Sequence, residues 1–261
     1  REWKDNMSRW DILDLVRMTR ALRPDGIEWP VDLDGKATNR LELLAKANNI
    51  AHESAHDALS DVEATISLAK LIAEKQPKLY SHLLEFRNKK KLAKMIDVKN
   101  PQPFVHTSGM LSSEHEKTTV VIPIAPHPTN SNAVIVYDLR HSPDKLQSLS
   151  SDDIKERLFM SRAERAKQQI DRLPIKAIHL NKSPAVAPLG VLDEASQERI
   201  HLTLDQVNVH LAQLRKTKGF GERVFTAFEG NDHPEIDDVD GQLYGGFVND
   251  NDKRIMQQVR N

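Results

Sequence analysis

The run Asn100-Pro101-Gln102-Pro103 divides the chain into two textures, and that division limits the fold before anything else does. Two prolines in four residues fit neither a helix interior nor a central strand. Ahead of them apolar residues recur at the three-to-four spacing of an amphipathic helix; beyond them β-branched residues run together. The spacing predicts a helix over Trp10 to Leu22. Leu13, Val16 and Ala21 share one face, Ile12 and Leu15 widen it, and Arg17 and Arg20 stand three apart on another. It stops at Arg23-Pro24-Asp25-Gly26. A second helix is expected from about Asn39 to Asn48, ending where Asn48-Asn49 tolerates a left-handed cap. A third is expected near Ser60, from the capping box Ser60-Asp61-Val62-Glu63, with Val62, Ile66, Ala69 and Ala73 as its stripe.

Beyond the prolines, Thr118 to Ile124, Ala133 to Leu139 and Ala177 to Leu180 read as strands, with Pro126, Pro128 and Asn/Ser turn residues between the first two. Helices are expected over Ser151 to Leu173, capped by Ser151, and over Leu204 to Leu214. Gly230 to Gly241 is acidic and reads as a linker, and a further helix is expected from Asp250.

The 261 residues leave room for one large domain or two modest ones. The absence of cysteine excludes disulfide scaffolds, thiolate zinc sites, iron–sulfur clusters and a cysteine nucleophile, and fits a reducing cytoplasm. No apolar run approaches the roughly 18 residues of a membrane helix, so no membrane role is expected. A net charge of −1, from 37 Lys+Arg and 38 Asp+Glu, conceals segregation. Lys70 to Lys99 holds nine basic residues against three acids, whereas Glu229 to Asn261 holds three against eight. Such a basic segment is compatible with a phosphate-tracking surface; a charge run taken alone reads first as a solvated helix end.

His52-Glu53-Ser54-Ala55-His56 fits the H-E-x-x-H zinc pattern, which needs a helix to bring both imidazoles to one face. It lies between a helix terminator and a new capping signal, with no third ligand apparent, which argues against zinc. Overlapping it, His56 precedes a helix start and Asp61 lies in the first helical turn. A carboxylate there stays ionised and can hold a hard divalent cation, and a loop histidine can serve as general base to a water on that cation. Alternatively, Asp61 only satisfies the helix end and His56 is a surface residue.

These residues carry a likeness. An Asp opening a helix (Asp11 or Asp14), Arg40-Leu41-Glu42-Leu43-Leu44 ahead of Asn48-Asn49-Ile50, and His56-x4-Asp61 before Ala64-Thr65 resemble the third-motif half of the DnaQ-like 3′→5′ exonucleases. Those enzymes use four acidic residues and a histidine. Ser8-Arg9-Trp10-Asp11, Ala21 to Ile27, Ala55-His56-Asp57-Ala58, Arg87-Asn88-Lys89, His106 to Met110 and Leu243 to Phe247 resemble the bacterial exodeoxyribonuclease I family more specifically. The likeness spans essentially the whole chain. Ribonuclease T and oligoribonuclease share the His-x4-Asp pattern, but they are small single-domain proteins without the β-rich extension.

The resemblance implies an α/β plus β architecture: the C-terminal part of a ribonuclease-H-like exonuclease domain (1–76), an SH3-like β domain with helical insertions (77–232), and the start of a helical domain (233–261). It implies stepwise hydrolysis of single-stranded DNA from the 3′ end, releasing 5′-mononucleotides in DNA repair and recombination. Two Mg²⁺ ions would stabilise the attacking and leaving oxygens. Carried over by position, His56 is the general base, Asp61 a metal ligand and Arg40 a phosphate contact, with Arg17 and Lys89 further along the strand. A monomer that meets a single-stranded-DNA-binding protein is expected. The family's other three carboxylates align ahead of Arg1, so the chain is expected to be a piece of a longer protein and inactive alone. The alternative is a non-catalytic module that binds single-stranded nucleic acid or docks a partner.

Overall fold

The computed structural model describes residues 8–52, 57–229 and 250–260. Five helices come first: α1 (Leu13–Leu22), α2 (Leu41–Ala47), α3 (Ala58–Lys75), α4 (Pro77–Phe86) and α5 (Lys89–Met95). Strands β1 (Phe104–Thr107), β2 (Thr118–Pro126) and β3 (Ala133–Asp138) follow, then α6 (Ser151–Phe159) and α7 (Arg162–Gln168). Next come β4 (Ile175–His179), β5 (Ala185–Pro188), α8 (Glu194–Arg199), α9 (Leu204–Lys216) and α10 (Phe220–Phe228). Residues up to Glu229 form one compact unit. Helix α11 (Asp250–Arg260) belongs to a second, in which Ile255, Met256 and Val259 are exposed.

The five strands pair antiparallel in the order β4-β3-β2-β1-β5. β4 and β5 are therefore the two edges, roughly 19 Å apart in a flat sheet at about 4.8 Å per strand. Only Leu180 to Pro184 joins them, and Leu180–Lys182 is a 3₁₀ turn. With about 2 Å per turn residue and ~3.4 Å per extended step, that connection reaches roughly 16 Å. The sheet must curl, which is the small barrel-like β domain that the resemblance implies. Pro123 sits where the β2–β3 register slips, a bulge that tolerates its missing N–H.

Alternate strand residues feed two cores. Phe104, Val121, Val134, Val136, Ile178 and Val186, one or more from each strand, pack with Leu180 and are closed by Leu92 and Ile96 around α5. Val105, Val120, Ile135, Tyr137, Ile175 and Ala187 face the larger core with α1, α3, α4, α9 and α10. Burial on both faces explains the unbroken β-branched runs.

Several elements differ from the sequence-based expectation. α3 starts at Ala58, because Asp57 rather than Ser60 caps it, accepting from Ser60 N at 3.0 Å. Its buried face is Ala64, Leu68 and Ile72; Val62 and Ile66 are exposed with Leu59, since the helix is apolar on more than one side. The expected helix from Ser151 to Leu173 is two, capped by Ser150 and Ser161, each with a complete capping box. Strands β1 and β5 and helices α8 and α10 were not anticipated. Asn49 does take the left-handed conformation, at φ 55°. The acidic stretch Gly230 to Gly241 lies outside the described residues, as does Leu243 to Phe247. Among the described residues no helix is long and apolar enough to cross a membrane.

Candidate nucleic-acid interface

Asp61 stands in the first turn of α3, where the helix dipole favours its charge. One carboxylate oxygen is 2.7 Å from His52 Nε2; the His52 side chain is 6% exposed and that of Asp61 45%. His52 therefore orients the carboxylate, a role that sequence reasoning missed: a partner nine positions away leaves no periodic signal. It also uses the ring nitrogen that a zinc site of the H-E-x-x-H kind would need. His56 falls within Glu53 to His56, outside the described residues. Among the described residues no three His, Asp or Glu side chains converge to hold a metal ion. One carboxylate is too small a donor set for a two-metal centre, so the described residues do not form that site.

The candidate phosphate contacts lie on three separate elements. Arg40 caps α2 with an extended backbone, its side chain largely exposed and paired with Glu42. Arg17, on α1, donates to Asp14 Oδ1 at 2.6 Å. Lys89 opens α5 and donates to Asn132 in the β2–β3 turn. Among the described residues no hydrogen bond or ion pair joins Asp61, Arg40, Arg17 and Lys89 to one another. The basic segment spans the end of α3, α4 and α5, with Lys70, Lys78, Lys90, Lys94 and Lys99 exposed. α5 begins Lys89-Lys90-Lys91, three cations at the positive end of a helix with no acid in the first turn. That placement costs stability and favours an approaching anion.

The mouth of the barrel nearest the β1 C-terminus is polar. His106, on the inner face of β1, is 3% exposed, with Nδ1 3.0 Å from Ala185 O and Nε2 3.0 Å from Lys176 Nζ. A carbonyl only accepts, so Nδ1 carries the hydrogen and Nε2 accepts from the ammonium. Burial, reinforced by the neighbouring Lys176 charge, pushes His106 down to about 3. Burial, with Arg172 adding to it, pushes Lys176 down to about 8 against the opposing pull of Asp14 and Asp138. Thr119 donates to Asp138 at the same mouth, at 2.5 Å. Neither His106 nor Lys176 stood out in the sequence as a chemical group, because each is a single polar position in a β run.

Comparison with known proteins agrees with this architecture. The family model described as "Exonuclease I SH3-like domain" matches residues 87–230. Exodeoxyribonuclease I of Haemophilus influenzae is 43% identical over 99% of this chain and 55% of its own length. A zinc-bound crystal structure of an E. coli ExoI–ssDNA complex matches with a TM-score of 0.87 and 40% identity, covering 99% of this chain and 54% of that one. An ExoI/SSB-Ct complex matches with a TM-score of 0.85 and 40% identity over the same shares. The chain thus spans about half the length of the relatives it matches. A curled antiparallel sheet of this order, matched by its own family model across more than half of the sequence, means that the chain belongs to the exonuclease I SH3-like domain family.

Proposed function

We propose that this chain works as part of a single-strand-specific 3′→5′ exodeoxyribonuclease that releases 5′-mononucleotides. The observation that carries the reading is Asp61: an oriented, half-open carboxylate at a helix N-terminus, in a chain similar over 99% of its length to an exonuclease I bound to single-stranded DNA. In this reading residues 1–76 end the exonuclease domain, 77–232 form the SH3-like domain and 233–261 begin a helical one. His56 is the general base, Asp61 one of the ligands to two Mg²⁺ ions, and Arg40, Arg17 and Lys89 contact strand phosphates. The zinc-bound relative supports use of a divalent ion. Those ions, when bound, stabilise charge on the attacking and leaving oxygens. Arginine suits bidentate phosphate contacts, and lysine supplies affinity without sequence preference. The relative complexed with SSB-Ct supports a single-stranded-DNA-binding protein as partner. A cytoplasmic monomer completes the reading.

The test uses a protein of the relatives' length that carries this segment, supplied with Mg²⁺ and with 3′-labelled single-stranded and duplex DNA. The reading predicts labelled mononucleotide from the single strand and little from the duplex; internal cuts, or equal attack on both, contradict it. A second reading is favoured for the 261 residues taken alone, because a single carboxylate stands at the candidate site among the described residues. That reading predicts single-strand binding that weakens with salt and no hydrolysis.

A further inference from the structure

Arg17 and Arg20 stand three apart on α1, yet neither is a solvated surface residue: their side chains are 21% and 11% exposed. Both reach the connection between β1 and β2. Arg20 Nε is 3.3 Å from Glu116 Oε2, and its Nη1 donates to Thr38 O at 2.8 Å. Arg17 lies against Gly109. A Cβ on Gly109 would stand 2.8 Å from Arg17 Nη1 and 3.1 Å from both Cζ and Nη2, so the guanidinium occupies the space that a side chain would fill. Gly109 does not have a positive φ, so backbone conformation does not require glycine here. The three atoms nearest its missing side chain all belong to Arg17.

The connection that presents this glycine is itself held firmly. Leu111 N donates to Ser108 O at 3.0 Å, Ser108 N to Lys117 O at 3.0 Å, and Lys117 Nζ to Leu111 O at 2.8 Å. Nη1 of Arg17 is engaged by Asp14 at 2.6 Å. Nε and Nη2 have no hydrogen-bond partner among the described residues, which leaves donors of a fixed, planar fork available to an anion.

We propose that Gly109 is a positioning residue for Arg17: the β1–β2 turn seats the guanidinium so that its unused donors meet a backbone phosphate of a single strand. The proposal deepens the reading of the protein as a single-strand-binding exonuclease and rests on it. It makes the SH3-like domain responsible for the orientation of a phosphate contact on the helical segment. Phosphate binding by a pre-set fork loses less side-chain freedom than binding by a mobile arginine.

The experiment measures binding of a fluorescent oligo-dT, without divalent ions, to a protein of the relatives' length that carries this segment, across a salt series, for wild type, Arg17→Ala, Gly109→Ala, the double variant and Gly190→Ala. Gly190 has nothing within 4 Å of its would-be Cβ and controls for a glycine change as such. Arg17→Ala is expected to weaken binding roughly tenfold, the size of one charge-assisted hydrogen bond, and to reduce the salt slope by about 0.7, one single-strand phosphate contact. Gly109→Ala is expected to weaken binding about threefold or more with a matching loss of slope and an unchanged unfolding midpoint. The double variant is expected to bind like Arg17→Ala, because both changes remove one interaction. Wild-type binding by Gly109→Ala, an equal loss in Gly190→Ala, or multiplying losses in the double variant would overturn the proposal while leaving the single-strand reading intact. A wild-type protein of that length that ignored oligo-dT would remove that reading and this proposal together.

Discussion

At the scale of single residues, His106 and Lys176 make the pH response of the fold legible. His106 is buried as a neutral ring, and its pKa falls from 6.5 to about 3. Between those values the unfolded chain binds a proton that the folded one does not, so stability rises with pH across that window and is lost as pH falls through it. At roughly 1.4 kcal/mol per unit the change amounts to several kcal/mol. Lys176 acts with the same sign higher up: from about 8 to 10.5 the unfolded state again holds the extra proton, and stability rises with pH. Urea unfolding at intervals from pH 4 to 7 checks the first window. His106→Asn keeps a donor for Ala185 O but cannot titrate, and is expected to flatten the curve between pH 4 and 6.5. An equally steep curve in the variant would place the acid sensitivity elsewhere.

At the scale of elements, α3 and α5 show how local chemistry places candidate function. Asp57 caps the helix whose first turn carries Asp61. Asp57→Ala is expected to cost about 1 kcal/mol in unfolding free energy, the usual cost of a lost N-cap. α5 runs the other way, since its lysine-rich first turn opposes the helix dipole. Lys90 is exposed, and Lys90→Glu is expected to stabilise the chain by roughly 0.3–1 kcal/mol while weakening oligo-dT binding and lowering its salt slope. A variant that gained stability and kept full affinity would assign those lysines to solvent. Not all of this was readable in advance. β2 and β3 could be read because six or more β-branched and apolar residues run together; β1 and β5 have only four each and are buried on both faces, so neither length nor alternation marks them. α3 could be located but not oriented, because Val62 and Ile66 make as good a stripe as Leu68 and Ile72 and only the tertiary fold chooses between them. Asp61 was visible through its place at a helix start. The pairings of His52 with Asp61 and of Gly109 with Arg17 were not, because the partners follow no period in the chain.

At the scale of the whole molecule, one core runs from the helices into one face of the sheet, and a second, smaller core fills the curl of the sheet. His82 Nε2, 2.9 Å from Val186 O, and Arg23 Nη2, donating to Val191 O at 2.8 Å, tie the helical segment to the far edge of the sheet. Through these ties a basic helical stretch, an arginine seated on a β turn and an oriented carboxylate are carried by one compact unit, although the chain is nearly neutral overall. In the proposed function, this unit supplies one carboxylate and one general base to hydrolysis of a single strand from its 3′ end. The direct measurement is single-turnover release of 3′-terminal mononucleotide with Mg²⁺ by a protein of the relatives' length, comparing wild type with His56→Ala and Asp61→Asn. Each variant is expected to slow release by about 100-fold or more with oligo-dT affinity retained. Undiminished release by either variant would contradict the account.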